Sequence, residues 1–209
     1  HGRITKRDLE SVEPRLGDRP APARPARSPE EVMPPARDVP HEVVAMSGMR
    51  KTIARRLSES KRVAPHFYMS MDAELDALLG LRSQLNARGK GPSLSVNDFV
   101  IRALAMALDE VKAANVQYGG DVTYRYQRVD IAVAVAVPEG LYTPVIRDAA
   151  KKPLPVIAAE MRSLAERARA GKLRLEDFEG GTFSLSNLGM YGVKQFQAVI
   201  NPPQAGSRV

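Results

Sequence analysis

Few side chains in this 209-residue sequence can move a proton or hold a developing charge at neutral pH. It has no cysteine, which removes thiol nucleophiles, thiolate metal sites and disulfides and fits a reducing compartment. Of its three histidines, His1 and His41 lie in or beside Pro-rich sequence, and only His66, in Pro65-His66-Phe67-Tyr68, sits in patterned sequence. No Ser-His-Asp set and no metal-ligand spacing can be assembled around them. A lone histidine is more often a satisfied polar group than a catalyst, so His66 is expected to be structural. What remains is hydroxyl, amide and guanidinium chemistry, whose carriers each have an ordinary structural reading. Ser186 and Asn187 stand together in GGTFSLSNLGMYG, residues 180–192; alone, such a pair is a strand end followed by an Asx turn, although the amide can also bond a ligand. Arg82 carries a planar fork suited to phosphate or to bracing a site, while most arginines on helix faces are simply solvated. Ser95 is first of all a helix cap, and a helix N-terminus also offers backbone donors to a phosphate or polar cofactor.

The elements that must hold these residues follow from periodicity. Ser47 is placed to cap a helix in which Met49, Ile53 and Leu57 make one inward stripe, with Arg50, Arg55, Arg56 and Lys61 opposite, until Pro65 stops it. Residues 66–71 alternate, Phe67, Met69 and Met71 against His66, Tyr68 and Ser70, which predicts a strand. Asp72 is placed to cap a helix whose buried side is Leu75, Leu78, Leu79 and Leu85, with Arg82 near its end. Ser95 and Asp98 form a shortened capping box before a long core helix through Phe99, Val100, Leu104 and Leu108. Gly119 and Gly120 predict a turn, and residues 122–126 and 129–137 two strands. The second has Val and Ile on one face and Ala on the other, so its small face implies a close neighbour. A short strand at 144–147, a helix over 154–170 closed by Gly171, and strands at 183–185 and 196–200 complete the reading. The class is mixed α/β, without a dinucleotide glycine fingerprint or an internal repeat.

Composition narrows the classes. With 44% hydrophobic but only 5% aromatic residues, the chain can build one aliphatic core. Eight of its sixteen prolines fall in the first forty residues, where residues 11–41 read as a Pro/Ala/Arg-rich linker. The net charge of +7 is carried mostly beyond that stretch, so it is not a basic tail. Few aromatics to stack bases and no nucleic-acid-binding signature argue against a nucleic-acid partner; a phosphate-bearing small molecule explains a basic surface equally well. No apolar run approaches a membrane span and no signal-peptide core is present, so no membrane partner is expected and the chain reads as soluble and intracellular.

Three ordered segments carry a family resemblance: SGMRKTIARRLSESKRVAPHFY at 47–68, GGTFSLSNLGMYG at 180–192 and INPPQA at 200–205. Together they resemble the catalytic domain of the dihydrolipoamide acyltransferases, the E2 core of 2-oxo acid dehydrogenase complexes, and look most like the acetyl-transferring branch of the pyruvate dehydrogenase complex. Residues 1–10 resemble the tail of the peripheral-subunit-binding domain that precedes such a core, leaving 42–209 as the catalytic domain. The resemblance implies an α/β chloramphenicol-acetyltransferase-like (CoA-dependent acyltransferase) fold, homotrimers assembling into a larger cage, and E1 and E3 components as partners. It implies transfer of an acetyl group from S-acetyldihydrolipoamide to coenzyme A, the lipoyl group being carried on a domain not present in this chain. It makes Ser186 the donor to the oxyanion and places Arg82, Ser95, Ser186 and Asn187 at coenzyme A-binding positions, in a bacterial cytoplasm or a mitochondrial matrix. The family ends in a His-x-x-x-Asp-Gly loop that supplies the catalytic base. This sequence stops at Val209 without it, so the catalytic domain is expected to be incomplete at its C-terminus, with an uncovered sheet edge. The alternative is an inactive E2-like scaffold or an E1/E3-docking subunit.

Overall fold

The computed structural model describes residues 35–208; the expected subunit-binding tail (1–10) and most of the expected linker (11–41) lie outside the described residues. Two units part between Val44 and Ala45, and every helix and strand named below belongs to the second.

Helix α1 spans Gly48–Val63, its first turn closed by Ser47 Oγ accepting from Arg50 N at 3.3 Å. Its apolar stripe is only partly covered: Met49 and Ile53 are half-buried, Leu57 is exposed, and the one buried residue is Ser60. Helix α2, Asp76–Ala87, starts later than the sequence reading, with Leu75 at the N-cap and no side-chain cap, and none of its residues is buried. Residues 66–71, expected as a strand, form none. A strand exists through its ladder; no described strand pairs with this segment, whose contacts with residues 195–200 run through the side chains of His66 and Ser70, and Phe67, Met69 and Met71 are 79%, 85% and 82% exposed.

Helix α3, Val96–Glu110, opens with the expected capping box: Ser95 Oγ accepts from Asp98 N and Asp98 Oδ2 accepts from Ser95 N at 2.7 Å. Strands β1 (Val116–Tyr118) and β2 (Thr123–Arg125) form a hairpin around Gly119 and Gly120. The single strand expected over 129–137 is two. β3, Ile131–Val133, enters the central sheet, and β4, Val135–Val137, turns into a separate hairpin with β5, Gly140–Tyr142. The break falls at Ala134, whose N–H donates to Leu185 O while Val135 pairs with Tyr142, so adjacent residues serve different sheets. After β6 (Val145–Ile146) come helix α4, Leu154–Arg169, then β7, Phe183–Leu185, and β8, Ser207–Arg208. The strand expected at 196–200 does not form, because the backbone of Ile200 is bonded instead to Ser60 and His66 side chains.

The central sheet has the order β6-β3-β7-β8, with β6 antiparallel to β3 and the other pairs parallel. Ile101, Ala105 and Leu108 of α3 and Ile157, Met161, Leu164 and Ala168 of α4 share one core with Ile131, Val133, Ile146 and Leu185. Each buried aliphatic side chain there contributes about 1.5–3 kcal/mol. At one end of the sheet the buried Asp130 carboxylate accepts from Arg128 Nε (2.8 Å) and Nη2 (2.6 Å) and from Asp148 N (2.8 Å). Asp130 N donates to Thr182 Oγ1. The carboxylate, satisfied as a buried charge must be, thereby fastens the start of β3 to the end of β6, and the backbone N–H of the same residue ties it to the approach to β7.

Beside this knot β7 comes close to β3. A Cβ placed on Gly181 would lie 2.9 Å from Ala132 Cβ and 3.0 Å from Gln204 Nε2, so the small face read from the sequence meets a close neighbour at Ala132. Gly181→Ala is expected to destabilise by about 1–3 kcal/mol through overpacking, lowering Tm by roughly 2–4 °C per kcal/mol in a thermal melt.

Candidate functional site

Ser186 is the first residue beyond β7, and the Ala134 N–H to Leu185 O bond holds the strand end against the β3–β4 break. Its side chain is not sealed in the core. Half-buried, it lines a cleft of about 370 Å³ whose other walls are residues 133–136, the first turn of α3, the outer face of α4 and the turn at Gly189–Tyr191. Asn187, next along the chain and exposed, uses Oδ1 to accept from Gly189 N at 2.8 Å, the expected Asx turn. Its Nδ2 has no partner among the described residues, so turn formation and ligand binding draw on different ends of one amide.

Ser95 lies in the same cleft wall. Its hydroxyl is committed twice, donating to Asp98 Oδ2 at 2.7 Å and accepting from Asp98 N at 3.2 Å, so it meets a ligand only with remaining lone-pair capacity. Arg82 is not brought to the cleft. Its Nε donates to Leu94 O at 2.9 Å, where Asn86 Nδ2 also donates, and Leu94 N donates back to Asn86 Oδ1 at 2.7 Å. Helix α2 therefore grips the residue immediately before the Ser95 cap. Of the four residues singled out from sequence, three share one cleft and the fourth braces its wall from behind.

His66 is excluded as a base by its bonding. A carbonyl cannot donate, so Nδ1 carries the proton that reaches Ala64 O at 2.8 Å, and the bare Nε2 accepts from Ile200 N at 2.9 Å. Both ring nitrogens are spent. Among the described residues no histidine lines the cleft, and no three His, Cys, Asp or Glu side chains gather to hold a metal ion.

With that geometry in hand, comparison with known proteins is decisive. Residues 39–206 match the family described as 2-oxoacid dehydrogenases acyltransferase (catalytic domain). The chain belongs to this family. It is 45% identical over 208 residues to the dihydrolipoyllysine-residue acetyltransferase component of the pyruvate dehydrogenase complex of Zymomonas mobilis, covering 98% of this chain and 47% of that protein. The structure is similar to that of a probable dihydrolipoamide acetyltransferase from Listeria monocytogenes (TM-score 0.75, 35% identity, 78% of this chain and 71% of that one). It is also similar to a dihydrolipoamide acetyltransferase from Azotobacter vinelandii (TM-score 0.79, 31% identity, 82% and 74%). The fold is thus that of the coenzyme A-dependent acyltransferase cores, as the resemblance implied. The chain spans about half the length of the curated relatives it matches.

Several residues that shape the cleft were not singled out from the sequence. Gln204, in the INPPQA segment, is buried; it accepts from Ser184 Oγ and donates from Nε2 to Gly181 O at 3.0 Å, clamping β7 along its length. Four residues earlier, Ile200 O accepts from Ser60 Oγ at 2.6 Å. The segment therefore ties α1 and His66 to the strand that carries Ser186. Asn97, in the first turn of α3, lines the cleft and has a buried Oδ1 without a partner. Arg162 and Arg169 reach the cleft from α4. Apart from Gln204, which falls within the INPPQA segment, none carries a local signal that distinguishes it from an ordinary helix or loop residue.

The pose of α4 depends on one buried carboxylate. Asp177 Oδ2 accepts from Arg167 Nη1 at 2.5 Å and from Arg174 N at 2.8 Å, pinning the end of the helix to the following loop. Burial, the largest influence, pushes the Asp177 carboxyl up, but the Arg174 backbone donor and the Arg167 and Arg174 guanidiniums together outweigh it and hold it below its ordinary 3.8. A carboxylate lowered on folding stabilises the fold fully above its unfolded value, about pH 4, and loses that contribution as pH falls through the lowered one. Thermal melts of wild type and Asp177→Asn should therefore differ most at neutral pH, the difference shrinking as pH falls below about 4.

Proposed function

We propose that the chain is the acyl-transfer core of a 2-oxo acid dehydrogenase complex, moving an acetyl group between a dihydrolipoyl thioester and coenzyme A. The observation that carries this reading is Ser186, free of any partner among the described residues and facing an open cleft directly beyond a strand held on both sides. The coenzyme A sulfur attacks the acetyl carbonyl carbon, the bond from that carbon to the dihydrolipoyl sulfur breaks, and the proton lost by one thiol ends on the other. Ser186 Oγ–H donates to the oxyanion formed in between; no covalent enzyme intermediate is needed. The cleft suits a pantetheine arm, whose amides need both donors and acceptors: Asn187 Nδ2 offers the first and Asn97 Oδ1 the second. Ser95 supplies the wall beside them, and Arg82 holds that wall in register through Leu94.

No histidine among the described residues can act as the proton acceptor, since His66 is engaged at both nitrogens and no other histidine reaches the cleft. Assembly as trimers within a larger cage, together with E1 and E3 components, fits the relatives, which include the cubic core of a pyruvate dehydrogenase multienzyme complex. The relatives come from bacteria and, by name, from mitochondria, and no described helix is long and apolar enough to cross a membrane. The same engaged histidine favours a second reading, a scaffold that assembles without catalysing.

Acetyl transfer from acetyl-CoA to dihydrolipoamide by the purified chain separates the two. Transfer that drops by roughly 10²–10³ in kcat for Ser186→Ala, with little change in KM, is the expected result. A rate indifferent to that substitution removes Ser186 from the chemistry, and no transfer at all supports the scaffold.

A further inference from the structure

The INPPQA segment is held at both ends by hydrogen bonds to distant parts of the chain, and neither end lines the Ser186 cleft. At its start, both backbone polar groups of Ile200 are taken. The N–H donates to His66 Nε2 at 2.9 Å, and the carbonyl accepts at 2.6 Å from Ser60 Oγ, wholly buried in the last turn of α1. His66 suits this anchoring role because its Nδ1–H is given to Ala64 O at 2.8 Å, which fixes the tautomer and leaves Nε2 bare to accept. Four residues on, the buried Gln204 amide engages β7 and its approach, accepting from Ser184 Oγ and donating to Gly181 O at 3.0 Å. Between the two ends stand Pro202 and Pro203, whose rings fix φ, and Gln204 N donates to Asn201 O at 3.1 Å. A strap this short and stiff passes a shift of Ile200 on to Gln204 instead of absorbing it. Gln204 in turn grips the strand whose next residue is Ser186.

We propose that His66 is a positioning residue for acyl transfer, acting with Ser60 through the Ile200–Gln204 strap to hold the Ser186 hydroxyl at the oxyanion. It touches no substrate. The kinetic consequence rests on the acyl-transfer reading and deepens it; the mechanical one, that the end of α1 governs the end of β7, rests on the hydrogen bonds alone. The histidine that cannot serve as the base thus acquires a different task in the same reaction.

Three substitutions separate the strap contact from the other bond of the ring. His66→Gln places an amide oxygen near the site of Nε2 and can still accept from Ile200 N, whereas His66→Asn places an amide nitrogen near Nδ1 and can still donate to Ala64 O without reaching the strap. Ser60→Ala removes the second anchor alone. In acetyl transfer from acetyl-CoA to dihydrolipoamide, His66→Asn and Ser60→Ala should each lose at least about tenfold in kcat with KM within about twofold, and His66→Gln should recover most of the loss. Hydrogen exchange followed amide by amide supplies a readout that needs no catalysis. The Ala134 N–H, bonded to Leu185 O at 2.9 Å, should exchange at least about tenfold faster in the same two variants and not in His66→Gln. Wild-type kcat in His66→Asn, an equal fall in His66→Asn and His66→Gln, or faster exchange confined to the surroundings of Ala64 and Ile200 overturns the proposal. A wild-type chain that transfers no acetyl group sinks the acyl-transfer reading, and exchange at Ala134 then decides the strap by itself.

Discussion

The close parallel pairing of β3 with β7 sets the position of almost everything that bears on function. Ile131, Ala132 and Val133 face Phe183, Ser184 and Leu185 in register, and the approach is so tight that a single methyl at Gly181 would collide with Ala132. Because the pairing ends at Leu185, the next residue has nowhere to go but into the cleft opened where the chain leaves β3 for β4. A hydroxyl can serve as a fixed donor only if its backbone does not drift. Here the backbone is fixed by a ladder on both sides, by the Asp130 knot at the start of the strands and by Gln204 along β7.

The polar groups around the cleft divide into those that build and those left over. Ser60, His66, Asn86, Asp130 and Gln204 each satisfy backbone donors or acceptors of a different segment, and Asp98 and Asp177 those of their own turn, which is how a fold with short strands and few aromatics holds irregular chain in place. Left with capacity to spare are the Ser186 hydroxyl, the Asn187 amide nitrogen, the Asn97 carbonyl oxygen and two arginines. A builder seldom doubles as a reagent, because its lone pairs and protons are already placed. That division is why His66, expected from the sequence to be structural, is spent on backbone groups at both nitrogens.

Local signals were legible in the sequence and long-range ones were not. The capping box at Ser95 and Asp98, the turn at Gly119 and Gly120 and the helix stop at Gly171, whose φ is +65°, are decided within a few residues, and each appears where periodicity and residue type place it. The alanines in residues 129–137 announced a close neighbour without saying which. Strands at 66–71 and 196–200 were inferred from alternation, but a strand is made by its partner; the first has none among the described residues and the second gives its backbone to side chains of α1 and its C-terminal extension. Ser186 and Asn187 were found through the family motif rather than through chemistry visible at two positions. Arg162 and Arg169 were passed over for the opposite reason: arginines on a helix face are common, and only the packing of α4 beside β4 turns that face into a wall of the cleft.

The absence of cysteine permits a direct test of whether the residue after β7 meets the thiol substrate. Ser186→Cys introduces a sole thiol, and coenzyme A disulfide exchanges with it only if the two sulfurs can come together, forming a mixed disulfide and releasing one coenzyme A thiol. Ser83→Cys, on the exposed face of α2, supplies the reference for an open site with no cleft. The structure predicts that Ser186→Cys captures one coenzyme A per chain faster than Ser83→Cys, and that excess pantetheine slows the former alone. Equal or slower capture at position 186, or capture indifferent to pantetheine, would contradict the placement of Ser186 in a coenzyme A cleft.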